Sequence, residues 1–228
     1  MTPKHALITG VAGQDGRYLT DLLIGEGYEV FGMVGPEAGD ISDWAVSRGA
    51  RLHLVEGDMT SGESLERVIV QSAPDDVYNF AGLSSVGSSW QQAALVAEVN
   101  AVGVIRLLDA LHAARPDARF CQASSADIFG LPGHSPQNES TEISPVSPYG
   151  ASKAYAHFMT RSYCNIQKML ACNADLMVAN DVGRKGSEMG SDTSEVFIID
   201  KNKQIIHLPV QTKQSVARML LEELTNYL

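Results

Sequence analysis

Near the start of the chain a short apolar run, His5–Thr9 (HALIT), ends directly in Gly10, and glycines recur at Gly13 and Gly16 as an amphipathic stretch begins at Gln14. A G-x-x-G-x-x-G turn between strand and helix lets the backbone reverse tightly and approach a pyrophosphate. It also presents the free N–H groups of a helix N-terminus to that charge. The plainer reading is a tight turn without a ligand. On the ligand-binding reading, Gly10, Gly13, Gln14, Asp15 and Gly16 line a dinucleotide site.

The pattern that follows is alternating. Strands are predicted at Tyr28–Val34 (YEVFGMV), Arg51–Glu56 (RLHLVE), Asp76–Phe80 (DVYNF) and Arg119–Ala123 (RFCQA). Helices are predicted over about 14–26, 64–72, 93–114 and 148–167. Apolar residues at Val99, Val102, Ile105, Leu108 and Leu111 mark the long one. Strand–helix alternation favours a doubly wound, mostly parallel α/β sheet. Asp175–Ala179 (DLMVA) is expected to add a sixth strand, giving the order 3-2-1-4-5-6. Glu195–Asp200 and Gln204–Leu208 flank Lys201-Asn202-Lys203 as a hairpin extending that sheet. A last helix starts at Thr212 or Ser215, with Val216, Met219, Leu220 and Leu224 on one face. The 228 residues suit one domain with a sizeable core.

Charge narrows the partners. A formal net charge of −10 argues against nucleic acid or an anionic membrane as the main partner. It leaves room for a nucleotide held by backbone N–H groups. Three cysteines without a C-x-x-C pair read as reduced thiols in a cytoplasmic protein. No apolar run is long enough to span a bilayer and no signal peptide precedes the first strand.

Further candidate groups lie at strand ends, where open α/β sheets bind ligands. Gly57-Asp58-Met59 follows strand three, and Phe80-Ala81-Gly82 follows strand four. Asp58 suits either a hydrogen bond from an adenine amino group or a cap on the next helix. Ser124-Ser125-Ala126-Asp127 follows strand five. Tyr149 and Lys153 stand four apart on a predicted helix and share a face. An ammonium beside a phenol favours the phenolate, which makes Tyr149 a base for an alcohol proton during hydride transfer, with Ser125 bonded to the same oxygen. No metal ligand is assigned.

These residues carry a resemblance. ALITGVAGQDGRYL, YNFAGLSSVGSSW, QASSADIFG and SPYGASKAYAHFMTRSY make residues 1–163 resemble extended short-chain dehydrogenases/reductases, and among them the GDP-mannose 4,6-dehydratases. The resemblance implies a Rossmann-like domain using NAD(P), with NADP usual. The sugar C4 hydroxyl is oxidised, water leaves across C5–C6, and the hydride returns to C6. It implies that Tyr149 is the base, Lys153 its electrostatic partner and Ser125 the hydroxyl ligand. Asp127 stands where the family has a glutamate that handles the elimination protons, one methylene longer. After strand two the family has arginines suited to a 2′-phosphate. This chain has Val34-Gly35-Pro36-Glu37, with no arginine and no acid right at the strand end. NAD and NADP both stay open. A homodimer through the helices near 93–114 and 149–167 is also implied.

Beyond Tyr163 the composition shifts. Residues 1–163 hold two lysines and eight arginines, and the rest hold five lysines and two arginines. NADLMVANDVG and MGSDTSEVFIIDKNKQIIHLPVQTKQSVARMLLEEL resemble the C-terminal end of phosphopantothenoylcysteine synthetases, so residues 164–228 are expected to complete the sheet as a segment of separate origin. On this reading the chain is a chimera, natural or recombinant, without the family's sugar-nucleotide domain. Three functions follow as expectations: a domain that binds NAD(P) with little or no turnover, an active dehydratase on a GDP-sugar, or a scaffold that binds no ligand.

Overall fold

The computed structural model describes residues 2–36, 38–133, 135–168, 176–180, 192–200 and 205–226. Strands β1 (His5–Thr9), β2 (Glu29–Val34), β3 (Leu52–Glu56), β4 (Asp76–Asn79) and β5 (Arg119–Gln122) form a parallel sheet in the order β3-β2-β1-β4-β5. Helices α1 (Gln14–Gly25), α2 (Ser42–Val46), α3 (Gly62–Ser72), α4 (Ala93–Ala97), α5 (Gly103–Ala114) and α6 (Pro148–Lys168) connect or follow these strands. A π-helical turn, Glu98–Val102, joins α4 to α5.

Both faces of the central strands are covered, so β1 and β2 carry apolar residues on both sides. Along β1, Ala6 and Ile8 belong to a core shared with Leu19 and Leu23 of α1. Leu7 between them joins the opposite core, with Leu65 and Ile69 of α3 and Leu107 and Leu111 of α5. This is the two-residue alternation of a strand, with apolar side chains on both sides. Ser61 caps α3, its hydroxyl accepting from the Ser64 N–H. Asp58 therefore does not cap that helix; its Oδ1 closes a short turn with the Thr60 N–H and hydroxyl.

The C-terminal part departs from expectation. β6 (Leu176–Asn180) is not a sixth strand of the parallel sheet. It pairs antiparallel with β7 (Thr193–Asp200), which pairs antiparallel with β8 (Ile205–Thr212), in a separate three-stranded sheet. The eight-residue β7 gives all five residues of β6 an antiparallel ladder, a pairing slightly more stable per residue than a parallel one. The expected turn at Lys201–Lys203 lies outside the described residues. Helix α7 (Lys213–Asn226) starts as the sequence suggests, with the Thr212 hydroxyl accepting from the Ser215 N–H. It lies against α1, and its Leu221 is buried in the α1-side core. Among the described residues no helix is long and apolar enough to cross a membrane.

Candidate dinucleotide and acid–base site

The glycine turn sits at the C-terminal end of β1. Gly10 has a φ of 68°, and a Cβ there would stand 2.8 Å from the backbone at Phe80 and Ala81. Gly16 is equally constrained, since its Cβ would meet the Gly10 carbonyl at 2.6 Å. Glycine is required at both, at the first for the left-handed backbone and at the second for close packing. The Gly13 N–H donates to the Gly10 carbonyl at 3.0 Å, closing the turn. Gly13 then starts α1 with no side-chain cap, so the first N–H groups of the helix face outward without a protein acceptor at that position. A dinucleotide pyrophosphate fits this chemistry: a tight loop, no Cβ in the way and free donors at a positive helix end.

The loop is tied to the neighbouring strands by a buried polar chain that the sequence did not announce. The Thr9 hydroxyl donates to Asn79 Oδ1 at 2.5 Å and accepts from the Ala81 N–H at 3.0 Å. Asn79 Nδ2 donates to Gln122 Oε1 at 2.8 Å. The C-terminal ends of β1, β4 and β5 are thereby locked in register, with Phe80 and Ala81 directly beside Gly10 and Gly82 against Asn100. Met59, by contrast, is a core side chain. It offers a ligand only its backbone, and its carbonyl already accepts from Arg106.

The candidate acid–base residues lie close together at the end of β5. Ser125, Tyr149 and Lys153 are all buried. Ser125 donates its hydroxyl to Asp127 Oδ2 at 3.1 Å and accepts from the Asp127 N–H at 3.2 Å, and it lies near enough to Tyr149 to act on its phenol. Lys153 Nζ lies 5.9 Å from the Tyr149 ring centroid and donates to the Ala123 carbonyl at 3.0 Å. Neighbouring Ser124 has a buried hydroxyl with no partner among the described residues, the kind of group whose desolvation a ligand relieves.

One electrostatic expectation reverses. Burial raises the Tyr149 phenol above its ordinary value; Ser125 opposes this, and the Asp127 carboxylate adds to it. Burial also lowers the Lys153 ammonium to about 8. The lysine does not turn the tyrosine into a resting phenolate, because desolvation penalises the charged form of each. At neutral pH Tyr149 holds its proton.

A residue missed in the sequence completes the arrangement. Asn100, in the π turn, is buried. Its Oδ1 accepts from the Leu83 N–H at 2.8 Å, and its Nδ2 donates to the Leu83 carbonyl at 3.0 Å and the Ser152 hydroxyl at 3.3 Å. It links the loop after β4 to the helix carrying Tyr149 and Lys153. The extra backbone residue of a π turn re-aims a side chain inward, and such turns recur at functional sites. Also unforeseen is Lys213, at the start of α7, whose Nζ donates to Gln14 Oε1 at 2.6 Å at the mouth of the glycine turn.

Comparison with known proteins agrees with this geometry. The sequence profile described as GDP-mannose 4,6 dehydratase matches residues 7–206. The chain belongs to the GDP-mannose 4,6-dehydratase family. It is 37% identical over 183 residues to GDP-mannose 4,6 dehydratase from Drosophila melanogaster, covering 76% of this chain and 46% of that protein. It is 39% identical over 186 residues to GDP-mannose 4,6 dehydratase 2 from Arabidopsis thaliana, covering 76% and 49%. The chain thus spans about half the length of the curated relatives it matches.

Among solved structures, the UDP-glucose 4-epimerase from Brucella ovis in complex with NAD superimposes with a TM-score of 0.64 at 29% identity, over 71% of this chain and 48% of that one. The UDP-Glc/GlcNAc 4-epimerase of Campylobacter jejuni has a TM-score of 0.67 at 21% identity, over 72% and 50%, and supports the fold. The family match runs through the composition shift at Tyr163. None of these matches is to a synthetase, so they lend no support to a second family or a junction.

Proposed function

We propose that this chain binds a nicotinamide dinucleotide across the glycine turn and uses Ser125, Tyr149 and Lys153 for proton transfer at a sugar-nucleotide hydroxyl, as the core of a 4,6-dehydratase. The observation that carries this reading is the convergence of the Tyr149 phenol, the Ser125 hydroxyl and the Lys153 ammonium at the end of β5, beside a glycine turn fit for a pyrophosphate. An NAD-bound epimerase of the same fold and the dehydratase relatives support it.

The bound dinucleotide would supply hydride acceptance and return. The chain's own part is acid–base and positional. Ser125 and Tyr149 orient the hydroxyl to be oxidised. Tyr149 first releases its own proton to solvent, and the phenolate so formed takes the hydroxyl proton as the C–H hydrogen departs as hydride to the bound dinucleotide. Lys153 stabilises that phenolate before it takes the proton, which matters because burial makes it costly at rest. Asp127, held against Ser125 and acting on the Tyr149 phenol, is assigned to the elimination protons. Asp58 and the backbone at Met59 flank the adenine end, and Phe80, Ala81 and Gly82 line the turn.

Product analysis with GDP-mannose and NADP tests the reading. Wild-type protein is expected to form the 4-keto-6-deoxy product, and Tyr149→Phe to lose on the order of a hundredfold or more of that rate. Unchanged substrate with both, despite saturable NADH or NADPH binding by fluorescence, favours a second reading: dinucleotide binding without turnover. That reading is motivated by Tyr149, whose buried phenol holds its proton at neutral pH. No saturable binding of either cofactor defeats both.

A further inference from the structure

The end of β2 is where a dinucleotide-binding domain reads the adenosine ribose: an acid there grips the 2′-hydroxyl, or an arginine nearby accepts a 2′-phosphate. Here Val34, Gly35 and Pro36 offer neither. The structure brings a cation to this region from another element. Arg17, on the first turn of α1, donates its Nε to the Ala12 carbonyl at 3.1 Å, inside the glycine turn. Its guanidinium lies 5.1 Å from the centroid of the Trp44 ring. Trp44 belongs to α2, the first helix after β2. Ala12, Val34 and Trp44 all pack on the same α1-side core, so turn, strand end and aromatic ring share one corner of the molecule.

Arg17 is also the cation left with capacity to spare. The carboxylate one turn along its own helix is Asp21, the usual four-residue partner. Arg48 takes it through both oxygens, at 2.7 and 2.9 Å, while also standing 5.1 Å from the Trp44 centroid. Asp40, the next acid along the β2–α2 connection, is occupied by the Ser42 N–H. Among the described residues no carboxylate pairs with Arg17. One Nε bond fixes the stem and the indole steadies the plane, leaving the terminal nitrogens for an acceptor. A planar, pre-oriented fork with free donors is suited to a phosphate.

We propose that Arg17 recognises the ribose 2′-phosphate of NADP(H), so that this chain discriminates between the two nicotinamide cofactors from α1 instead of from the end of β2. The inference rests on the dinucleotide reading above and deepens it. Trp44 positions the guanidinium, and Arg48 keeps Asp21 from neutralising it.

The test compares NADPH and NADH affinity by fluorescence titration of the full chain. Wild-type protein is expected to bind NADPH more tightly than NADH. A charge-assisted contact contributes about 1.5–3 kcal/mol, so Arg17→Ala should weaken NADPH by about ten- to a hundredfold and leave NADH nearly unchanged. Arg17→Lys, which keeps the charge and the stem, should recover part of the NADPH affinity and controls for folding. Three results overturn the proposal: NADH bound as tightly as NADPH by wild type, equal weakening of both cofactors in Arg17→Ala, or an NADPH affinity indifferent to the substitution. In each of these the dinucleotide reading survives. Failure of wild type to bind either cofactor overturns both.

Discussion

Lys153 is a buried cation whose one acceptor among the described residues is the Ala123 carbonyl, and desolvation depresses it from 10.5 to about 8. A lysine this dry is a stability cost that the fold carries for the site. The folded-state value lies below the unfolded one, so between about pH 8 and 10.5 the unfolded chain binds more protons, and stability rises with pH across that window. Below pH 8 the full cost stands. Lys153→Met should therefore stabilise the protein by about 2 kcal/mol at pH 7 while abolishing turnover. That advantage should shrink as pH climbs from 8 towards 10.5. Urea denaturation of both proteins at pH 7 and pH 9.5 checks this; a gap that does not change with pH contradicts it. Tyr149, raised above 10.0 by the same burial, opposes this rise only as pH nears 10, where the unfolded phenol ionises first, and it does so equally in both proteins.

At the scale of elements, the π turn between α4 and α5 decides how the acid–base helix meets the loop after β4. Asn100→Ala removes three hydrogen bonds, two part-buried ones to Leu83 and a buried one to Ser152. Unpaired buried groups cost about 1–3 kcal/mol, so thermal and urea denaturation should show a loss of about 2 kcal/mol or more. Dinucleotide affinity should fall with it as the 81–84 segment loosens; unchanged stability would show that water replaces the lost bonds. This turn also shows what the sequence could carry. Val99, Val102, Ile105, Leu108 and Leu111 keep helical spacing through it, so periodicity reads one smooth helix and hides the inward turn of Asn100. The glycine turn and the Tyr149–Lys153 pair were legible because their chemistry depends on local spacing. The ladder partner of β6 was not, because its short apolar run suits either sheet and the choice is made by pairing with β7.

At the scale of the molecule, the question is whether the C-terminal sheet and helix are an appendage or part of one cooperative unit. The helix in which the composition shifts is bonded inward: Tyr163 donates to Asp109 of α5 at 2.5 Å and packs on Val104, Leu108 and Ala156. At the far end, α7 returns to α1. Leu221 is 5% exposed in the core that also holds Leu19, Leu23 and Trp44, and Lys213 reaches Gln14. A cavity in this position weakens the contact between tail and nucleotide-binding sheet. Leu221→Ala should cost about 2–4 kcal/mol, the usual range for truncating a buried leucine. If the chain unfolds as one unit, the urea midpoint falls with an unchanged slope, and far-UV dichroism and tryptophan fluorescence report the same transition. Trp44 makes the second probe informative, since it sits in the front part against the core that Leu221 enters. Separate transitions, with the tryptophan signal holding its wild-type midpoint while part of the helical signal melts early, would mean that α7 is only docked. The glycine turn would then keep its shape without the tail.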